Sequence, residues 1–526
     1  MQWNQVDPLR DSAEASMMPD MQDQSFHSPL RDAIESILPA LERFGRFSAP
    51  EHIGRQRKLW SAQLEERLPQ QGLGTEAVLQ QLSHVVIPNG LRVGDTGFTG
   101  WMSMMPATLP VVTTLAATVA GPQRWWVQAF NTLEHVALGW LAELLTVPTS
   151  YQGIFSSGGA IANLVALTVA RQAAAERLGF DTVEDGIATF AHPRFYVTSE
   201  THHIIHRAIT TLGFGRRAIT LIPTDDRLRM DVTALRTQIA QDRAAGHTPI
   251  AVIGTAGTTN TGSIDPLPEL GQLCRDEGIW FHIDGAYGLL GIVVPEIAPL
   301  YGDLSLADSL VIDPHKWLNA PIGCGCTFVR DKKMMQRTFT LGTAAYLEEG
   351  QIPWNDAVPL VSQFADYGYQ FHELGLELSA PSRGVHVWAI LKERGVDGVR
   401  TQVQRNLDQA RYLAQLVEQS PVLELVMPVT LSIGCFRYVP LEVSGRDDVT
   451  TQQQLNDLNR DILKRIQGRG HTVPSGTTVH GAFVIRPCYI NPRASEIDVE
   501  MLVREVETCG AAAWANVRLH DETQAT

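Results

Sequence analysis

Ser309-Leu310-Val311-Ile312-Asp313-Pro314-His315-Lys316-Trp317 is the stretch on which the reading of this chain turns. A short apolar run stops at an aspartate and a proline, then offers a histidine and a lysine. That is the pattern of a buried strand delivering polar groups at its carboxyl end. Upstream, Trp280-Phe281-His282-Ile283-Asp284-Gly285-Ala286-Tyr287 repeats the pattern with a second acid. One lysine and one buried aspartate at strand ends are what a pyridoxal phosphate site requires. The amine forms a Schiff base with the cofactor aldehyde, and the carboxylate keeps the pyridinium nitrogen protonated. The ring can then accept the electron pair released at the substrate Cα. Lys316 needs desolvation or a neighbouring cation to become nucleophilic, and His315 stands where it can adjust that environment.

Working outward, short apolar runs at Ile154-Phe155, Phe195-Tyr196-Val197, Ala218 to Ile222 and Ile250 to Gly254 alternate with helical patterns such as Ala160 to Arg177 and Leu267 to Glu277. This alternation implies a mostly parallel sheet covered on both faces, with ligands beyond the carboxyl ends of its strands. Before it, residues 1–25 are polar and without period. Ile34, Ile37, Leu38, Leu41 and Phe44 then recur at helical spacing. Pro88 to Pro110, rich in Gly, Pro and Met, reads as an extended connection. After the sheet, Pro381-Ser382-Arg383-Gly384 opens a long helical stretch that runs past Arg411. The remainder alternates strands and helices as a smaller domain would. The division expected is 1–105, 106–375 and 376–526.

A formal net charge of −15 argues against nucleic-acid binding and against an anionic membrane surface. The six cysteines (Cys274, Cys324, Cys326, Cys435, Cys488, Cys509) are scattered, and Cys324-Gly325-Cys326 lacks the spacing of a zinc or redox motif. They read as thiols in a reducing cytoplasm. Residues 1–30 lack the pattern of a signal peptide, and the apolar segment Thr108 to Gly121 is too short to span a bilayer. His202, His203 and His206 have no carboxylate or cysteine partner in sequence, so no metal site is expected. There is no G-x-S-x-G, H-E-x-x-H or Walker lysine.

Three further turns gather around the opening pair. Ser156-Ser157-Gly158-Gly159-Ala160-Ile161-Ala162-Asn163 follows a strand and opens a helix. Small residues there let the backbone approach a phosphate, and free amides at the helix start point at it. A ligand-free strand–helix turn is the plainer alternative for this segment alone. In Ser199-Glu200-Thr201-His202-His203 a histidine can stack on a flat ring, act near a substrate carboxylate or donate a proton. An exposed loop histidine is the alternative. Thr255-Ala256-Gly257-Thr258-Thr259-Asn260-Thr261-Gly262 offers hydroxyls to the ring or cleft, or satisfies its own turn. Ala286 shares a strand face with Asp284 and is small enough for a ring to lie flat against it.

Together these residues resemble the pyridoxal-phosphate-dependent group II amino-acid decarboxylases, which include the aromatic amino-acid, glutamate and diaminobutyrate decarboxylases. Ser157 to Asn163, Gly257-Thr258-Thr259 with Gly262 and Asp265-Pro266, His282 to Tyr287 and Asp313 to Trp317 occur in the family's order and spacing. The similarity extends from Gly100-Trp101, through Asn131-Thr132-Leu133-Glu134, to Arg486-Pro487-Cys488-Tyr489-Ile490-Asn491-Pro492. The resemblance implies an α/β, aspartate-aminotransferase-type fold (pyridoxal-phosphate fold type I). It also implies a smaller C-terminal α/β domain, an N-terminal helical segment packing on the partner subunit, and a homodimer with its active sites at the interface. Carried over by position, Lys316 is the Schiff-base lysine, Asp284 the ring-nitrogen partner and His202 the stacking histidine. Gly159 and Ala160, with Asp313 and His315, fall where the family holds the phosphate, and Ser157 and Gly158 complete that turn. Thr255 and Ala286 match positions that line the ring.

The activity implied is decarboxylation of an L-amino acid to its amine. The alternatives are decarboxylation coupled to oxidative deamination, giving an aldehyde, or another carbon–carbon cleavage, and a catalytically idle relative. The chain departs from the family in two places. An Arg-rich segment is replaced by Ser379-Ala380-Pro381-Ser382-Arg383-Gly384, in which Arg383 either fixes a substrate carboxylate or forms a domain-linking salt bridge. The catalytic-loop tyrosine has three contenders, Tyr346, Tyr367 and Tyr369. Trp101, with Met102, Met104 and Met105, either approaches an apolar substrate or belongs to a Met-rich subunit interface.

Overall fold

The computed structural model describes residues 27–46, 53–102, 104–121, 123–124, 129–339 and 369–525. The chain forms two compact units, Met1–Leu91 and Arg92–Thr526. The first carries the helices His27–Gly45, Ile53–Leu64 and Thr75–Gln81, in line with the helical spacing of its apolar residues.

The second unit is built on seven strands: β1 (Gln152–Ser156), β2 (Pro193–Val197), β3 (Ile219–Leu221), β4 (Thr248–Thr255), β5 (Trp280–Asp284), β6 (Ser309–Ile312) and β7 (Gly325–Val329). Their order is β1-β7-β6-β5-β4-β2-β3. From β6 through β5, β4 and β2 to β3 every pairing is parallel, while β7 runs antiparallel to both β6 and β1. The expected mostly parallel sheet is therefore present, with one reversed strand that the sequence reading did not include. Gly325-Cys326-Thr327-Phe328-Val329 is buried along its whole length, so it carries no polar alternation to announce it. β4 reads as a continuous apolar run because helices cover both faces of the sheet. Its neighbours include Gly159–Arg177 and Leu267–Glu277. Register brings the strand ends into line: Thr255 lies opposite Asp284, and Asp284 opposite Val311.

A second, antiparallel sheet follows, with β8 (Leu423–Met427), β9 (Cys435–Tyr438), β10 (Ser475–Val479) and β11 (Ala482–Arg486) in the order β10-β11-β9-β8. The helices Gly384–Gln419, Val449–Arg469 and Glu496–Ala525 accompany it. Gly395, at φ 63°, interrupts the first of these. Among the described residues no helix is long and apolar enough to cross a membrane.

Candidate active site

The carboxyl ends of β1, β4, β5 and β6 bring four sequence segments together. After β6, the Asp313 amide donates to Ala286 O (3.0 Å) and the Lys316 amide to Asp313 O (2.9 Å), which folds the segment into a tight turn. Lys316 Nζ then lies 3.3 Å from Asp313 Oδ2, with its side chain 22% exposed against 3% for the acid. His315 donates through Nδ1 to Cys324 O (2.8 Å), leaving Nε2 3.7 Å from the same carboxylate oxygen. The other oxygen, Asp313 Oδ1, is buried with no partner among the described residues.

The turn after β1 packs directly on this group. Gly158 adopts φ 129°, which only glycine enters readily. A Cβ on Gly159 would come within 2.6 Å of Asp313 Oδ2, so a side chain there would displace the acid. The amides of Gly159 and Ala160 open the helix and have no carbonyl one turn back to bond. Ser157 and Ala160 are exposed, so this turn faces open space.

Asp284 ends β5 in a buried position, and one of its oxygens accepts from the Ala286 amide at 3.2 Å. Ala286 packs against Ala162, Ala166 and Val311, a floor of small and branched residues. At the end of β4, Thr255 Oγ1 is buried and without a partner among the described residues. Its backbone is fixed by Asp265, whose carboxylate accepts from the Thr255 and Met230 amides at 2.7 Å each. Burial pushes the Asp265 carboxyl up to about 6. Thr258, Thr261 and Ser263 instead bond one another at 2.8 Å, so they satisfy their own turn. Of the hydroxyls the sequence offered at this strand end, Thr255 keeps the open valence.

His202 caps the helix His203–Thr211, with Nδ1 accepting from the Ile204 amide at 3.2 Å. Burial lowers its pKa, and the Asp284 carboxylate opposes that shift. His203 and Lys316 add smaller repulsions, so His202 shares the electrostatic neighbourhood of both key residues. His203 is exposed.

The residues read as substrate contacts have the following partners. Arg383 is paired with Glu377 through two parallel bonds of 2.9 and 3.0 Å, an ion pair local to its own segment rather than the domain-linking one the sequence offered as an alternative. Trp101 is 56% exposed, its ring edge-on to Phe98 at 5.5 Å. Met104 is buried and accepts from Asn319 Nδ2, just beyond the lysine turn. Tyr369 stacks on His135 at 3.9 Å, and its backbone bonds the Asn131 side chain twice, at 3.0 Å each. Tyr346 and Tyr367 lie outside the described residues.

One arginine that bonds to the turn after β4 was not singled out from the sequence. Arg486, quoted above only as part of a closing motif, donates to Gly100 O (3.2 Å), Asn260 O (3.3 Å) and Thr259 O. It ties the end of β11 to the turn after β4 and to Gly100. Its signal in sequence is slight, because the bonds are to backbone carbonyls far along the chain.

The reversed strand β7, the order of its neighbours and the lysine and aspartate at adjacent strand ends define a fold-type I, pyridoxal-phosphate-type α/β enzyme. The solved structures agree on the fold. The Oryza sativa TDC crystallised with PLP and tryptamine superposes with a TM-score of 0.80 at 21% identity, covering 94% of this chain and 99% of its own. A family model described as the pyridoxal-dependent decarboxylase conserved domain matches residues 59–439. An aromatic-L-amino-acid decarboxylase of Bacillus atrophaeus is 32% identical over 450 residues, 84% of this chain and 87% of the relative. A phenylacetaldehyde synthase of Petunia hybrida is 26% identical over 402 residues, 74% of this chain and 73% of the relative. The chain belongs to the pyridoxal-dependent decarboxylase family. It is a carboxy-lyase that takes an amino acid as substrate and pyridoxal 5'-phosphate as cofactor.

Proposed function

We propose that this enzyme decarboxylates an aromatic L-amino acid to its amine, with Lys316 as the cofactor-bearing lysine. The observation that carries the site is the convergence of Lys316, Asp284 and the Gly158–Ala160 turn at adjoining strand ends. The aromatic preference is supported by the Bacillus atrophaeus relative.

The donor set fits the cofactor. Asp313 Oδ1 and Thr255 Oγ1 are buried polar atoms without partners among the described residues, and the glycine turn presents amides to open space. When bound, the cofactor ring supplies the electron sink for the pair left at the substrate Cα. Lys316 Nζ is the amine that takes the aldehyde, and Asp313 orients it from 3.3 Å. Asp284 holds a proton at the ring nitrogen, and a buried carboxylate does this strongly because little water screens it. Ala286 and His202 would face the cofactor ring, and Thr255 Oγ1, which has no partner among the described residues, would be free to bond it. Ser157, Gly158, Gly159 and Ala160 receive the phosphate, with His315 beside it. Arg383 is assigned to its ion pair with Glu377.

We further propose that the N-terminal segment 1–105 packs on a partner subunit, before a cofactor domain at 106–375 and a small domain at 376–526. A homodimer is supported by the helix Thr108–Ala120, whose Val111, Val112, Leu115 and Val119 are exposed. The six free, buried cysteines support a reducing cytoplasm.

Incubation with L-tryptophan, L-tyrosine and L-phenylalanine, assaying amine against aldehyde, hydrogen peroxide and ammonia, tests the reaction. Amine as main product is expected. Aldehyde as main product would replace this reading with the one named by the Petunia hybrida relative. Borohydride reduction and peptide mapping should find the cofactor on Lys316, and sedimentation velocity should give twice the chain mass.

A further inference from the structure

His282 stands two residues before Asp284 on β5, wholly buried, and the chemistry above leaves it unused. Its Nδ1 lies 2.8 Å from Ser309 Oγ at the start of β6, and its Nε2 lies 2.8 Å from Asn163 Oδ1. Asn163 in turn donates through Nδ2 to Gly159 O at 2.9 Å, and Trp280 Nε1 donates to Ser309 Oγ at 2.9 Å.

The donors fix the direction of this chain. An amide nitrogen and an indole N–H only donate. With Asn163 Nδ2 committed to Gly159, its Oδ1 must accept from His282 Nε2–H. In the neutral ring His282 Nδ1 then accepts from the Ser309 hydroxyl, which accepts from Trp280. Four hydrogen bonds therefore run one way, from the indole to the carbonyl of the first helical residue. A proton added at Nδ1 would leave the Ser309 hydrogen without its acceptor. Burial agrees, pushing the imidazole down to about 4 against the opposing Asp284 carboxylate and a backbone hydrogen bond with Ser309.

We propose that His282 is a positioning residue, held as the neutral Nε2–H tautomer, that sets the spacing between the two ends of the cofactor site. It is rigid with Asp284 through β5, and through Asn163 it holds the turn that receives the phosphate. The proposal rests on the reading that this turn and Asp284 grip opposite ends of one cofactor. His282 touches neither end itself.

The test compares H282L, which removes the donor, with H282Q, whose amide can still donate to Asn163. Cofactor affinity of the apoprotein is read by visible absorbance and visible-band circular dichroism, with far-UV dichroism confirming the fold. H282L should bind about tenfold or more weaker with an altered visible dichroism, because it strands the buried Asn163 oxygen. H282Q should remain close to wild type. Unchanged affinity in folded H282L, or equal loss in folded H282Q, overturns the proposal. Should both variants fail to fold, [15N]histidine NMR of the wild-type holoenzyme decides. An Nε2–H tautomer at His282 from about pH 6 to 8 supports the proposal, and an Nδ1–H or charged ring overturns it. Cofactor fixed by borohydride on a lysine other than Lys316 would instead remove the underlying site reading, independently of His282.

Discussion

Two buried ionic clusters lie within this unit, and they end differently. Around Lys316, Asp313 Oδ1 is buried with no partner among the described residues, and Asp284 accepts through one oxygen from the Ala286 amide. Around Arg383 most charged groups bond to one another or to backbone, although Arg124 Nε and Glu134 Oε1 are also buried without hydrogen-bond partners among the described residues, the latter 4.0 Å from Arg124 Nη1. Glu134 Oε2 accepts from the Gly384 amide (2.6 Å) and Ser382 Oγ (3.1 Å), capping the helix Gly384–Gln419 from outside it. Arg124 donates to Phe155 O (2.7 Å) and Glu377 O (3.0 Å), while Glu377 holds Arg383. Burying charge is costly in both places. In the second cluster that cost is offset in part by paired charges and backbone bonds, which tie a junction together. In the first it is left open to a ligand.

Breaking the open cluster should cost chemistry before it costs the fold. Lys316→Ala should lower kcat by at least about 10^3-fold and abolish the visible band of lysine-bound cofactor, with far-UV dichroism unchanged. Asp284→Asn should lower kcat on the order of 10^2- to 10^3-fold while cofactor still binds, because only the electrostatic support for the ring is lost. Stopped-flow assays check both. Breaking the closed cluster should do the reverse. Arg383→Ala should lower the unfolding free energy by about 3 kcal/mol in urea, since it leaves a partly buried Glu377 unpaired. KM should change little, and a large rise in KM would move Arg383 to the substrate side of the comparison.

A smaller effect is shared by the two regions. Burial lowers the pKa of His282 in the first region and of His386 beside the second to about 4. Both folded values lie below the unfolded value of about 6.5, so the neutral ring is what the fold favours. Their stabilisation is complete above about pH 6.5 and declines as the pH falls toward about 4. Urea titrations across that window should show it, and His386→Leu should flatten part of the slope. Smallest of all, Thr255→Val should weaken cofactor binding by about threefold to tenfold, one hydrogen bond's worth.

The strand ends were legible because each couples an apolar run to a polar stop, so Lys316, Asp284 and the Gly158–Ala160 turn could be named before any coordinates. β7 was not, since a strand buried throughout and opened by glycine shows no period. Arg383 was legible as a cation but not its partner. Glu377 stands six residues away across an irregular segment, where no helical or strand spacing predicts contact. The Asn163–His282 bond spans 119 positions and depends on helix packing that sequence alone does not specify. By residue type alone Thr258 and Thr255 looked equivalent; the family resemblance singled out Thr255, and in the fold Thr258 bonds within its own turn while Thr255 Oγ1 has no partner among the described residues.

The reversed direction of β7 has a consequence for the lysine turn. Because β7 returns beside β6, the segment from Asp313 to Cys324 is closed on itself, with the His315 amide and ring both bonded to Cys324 O. Loop closure over so short a span costs little entropy, and its contacts are local. The backbone around Lys316 should therefore exchange its amide hydrogens slowly even in the apoprotein. The lysine would then meet each new cofactor from a loop that is already set.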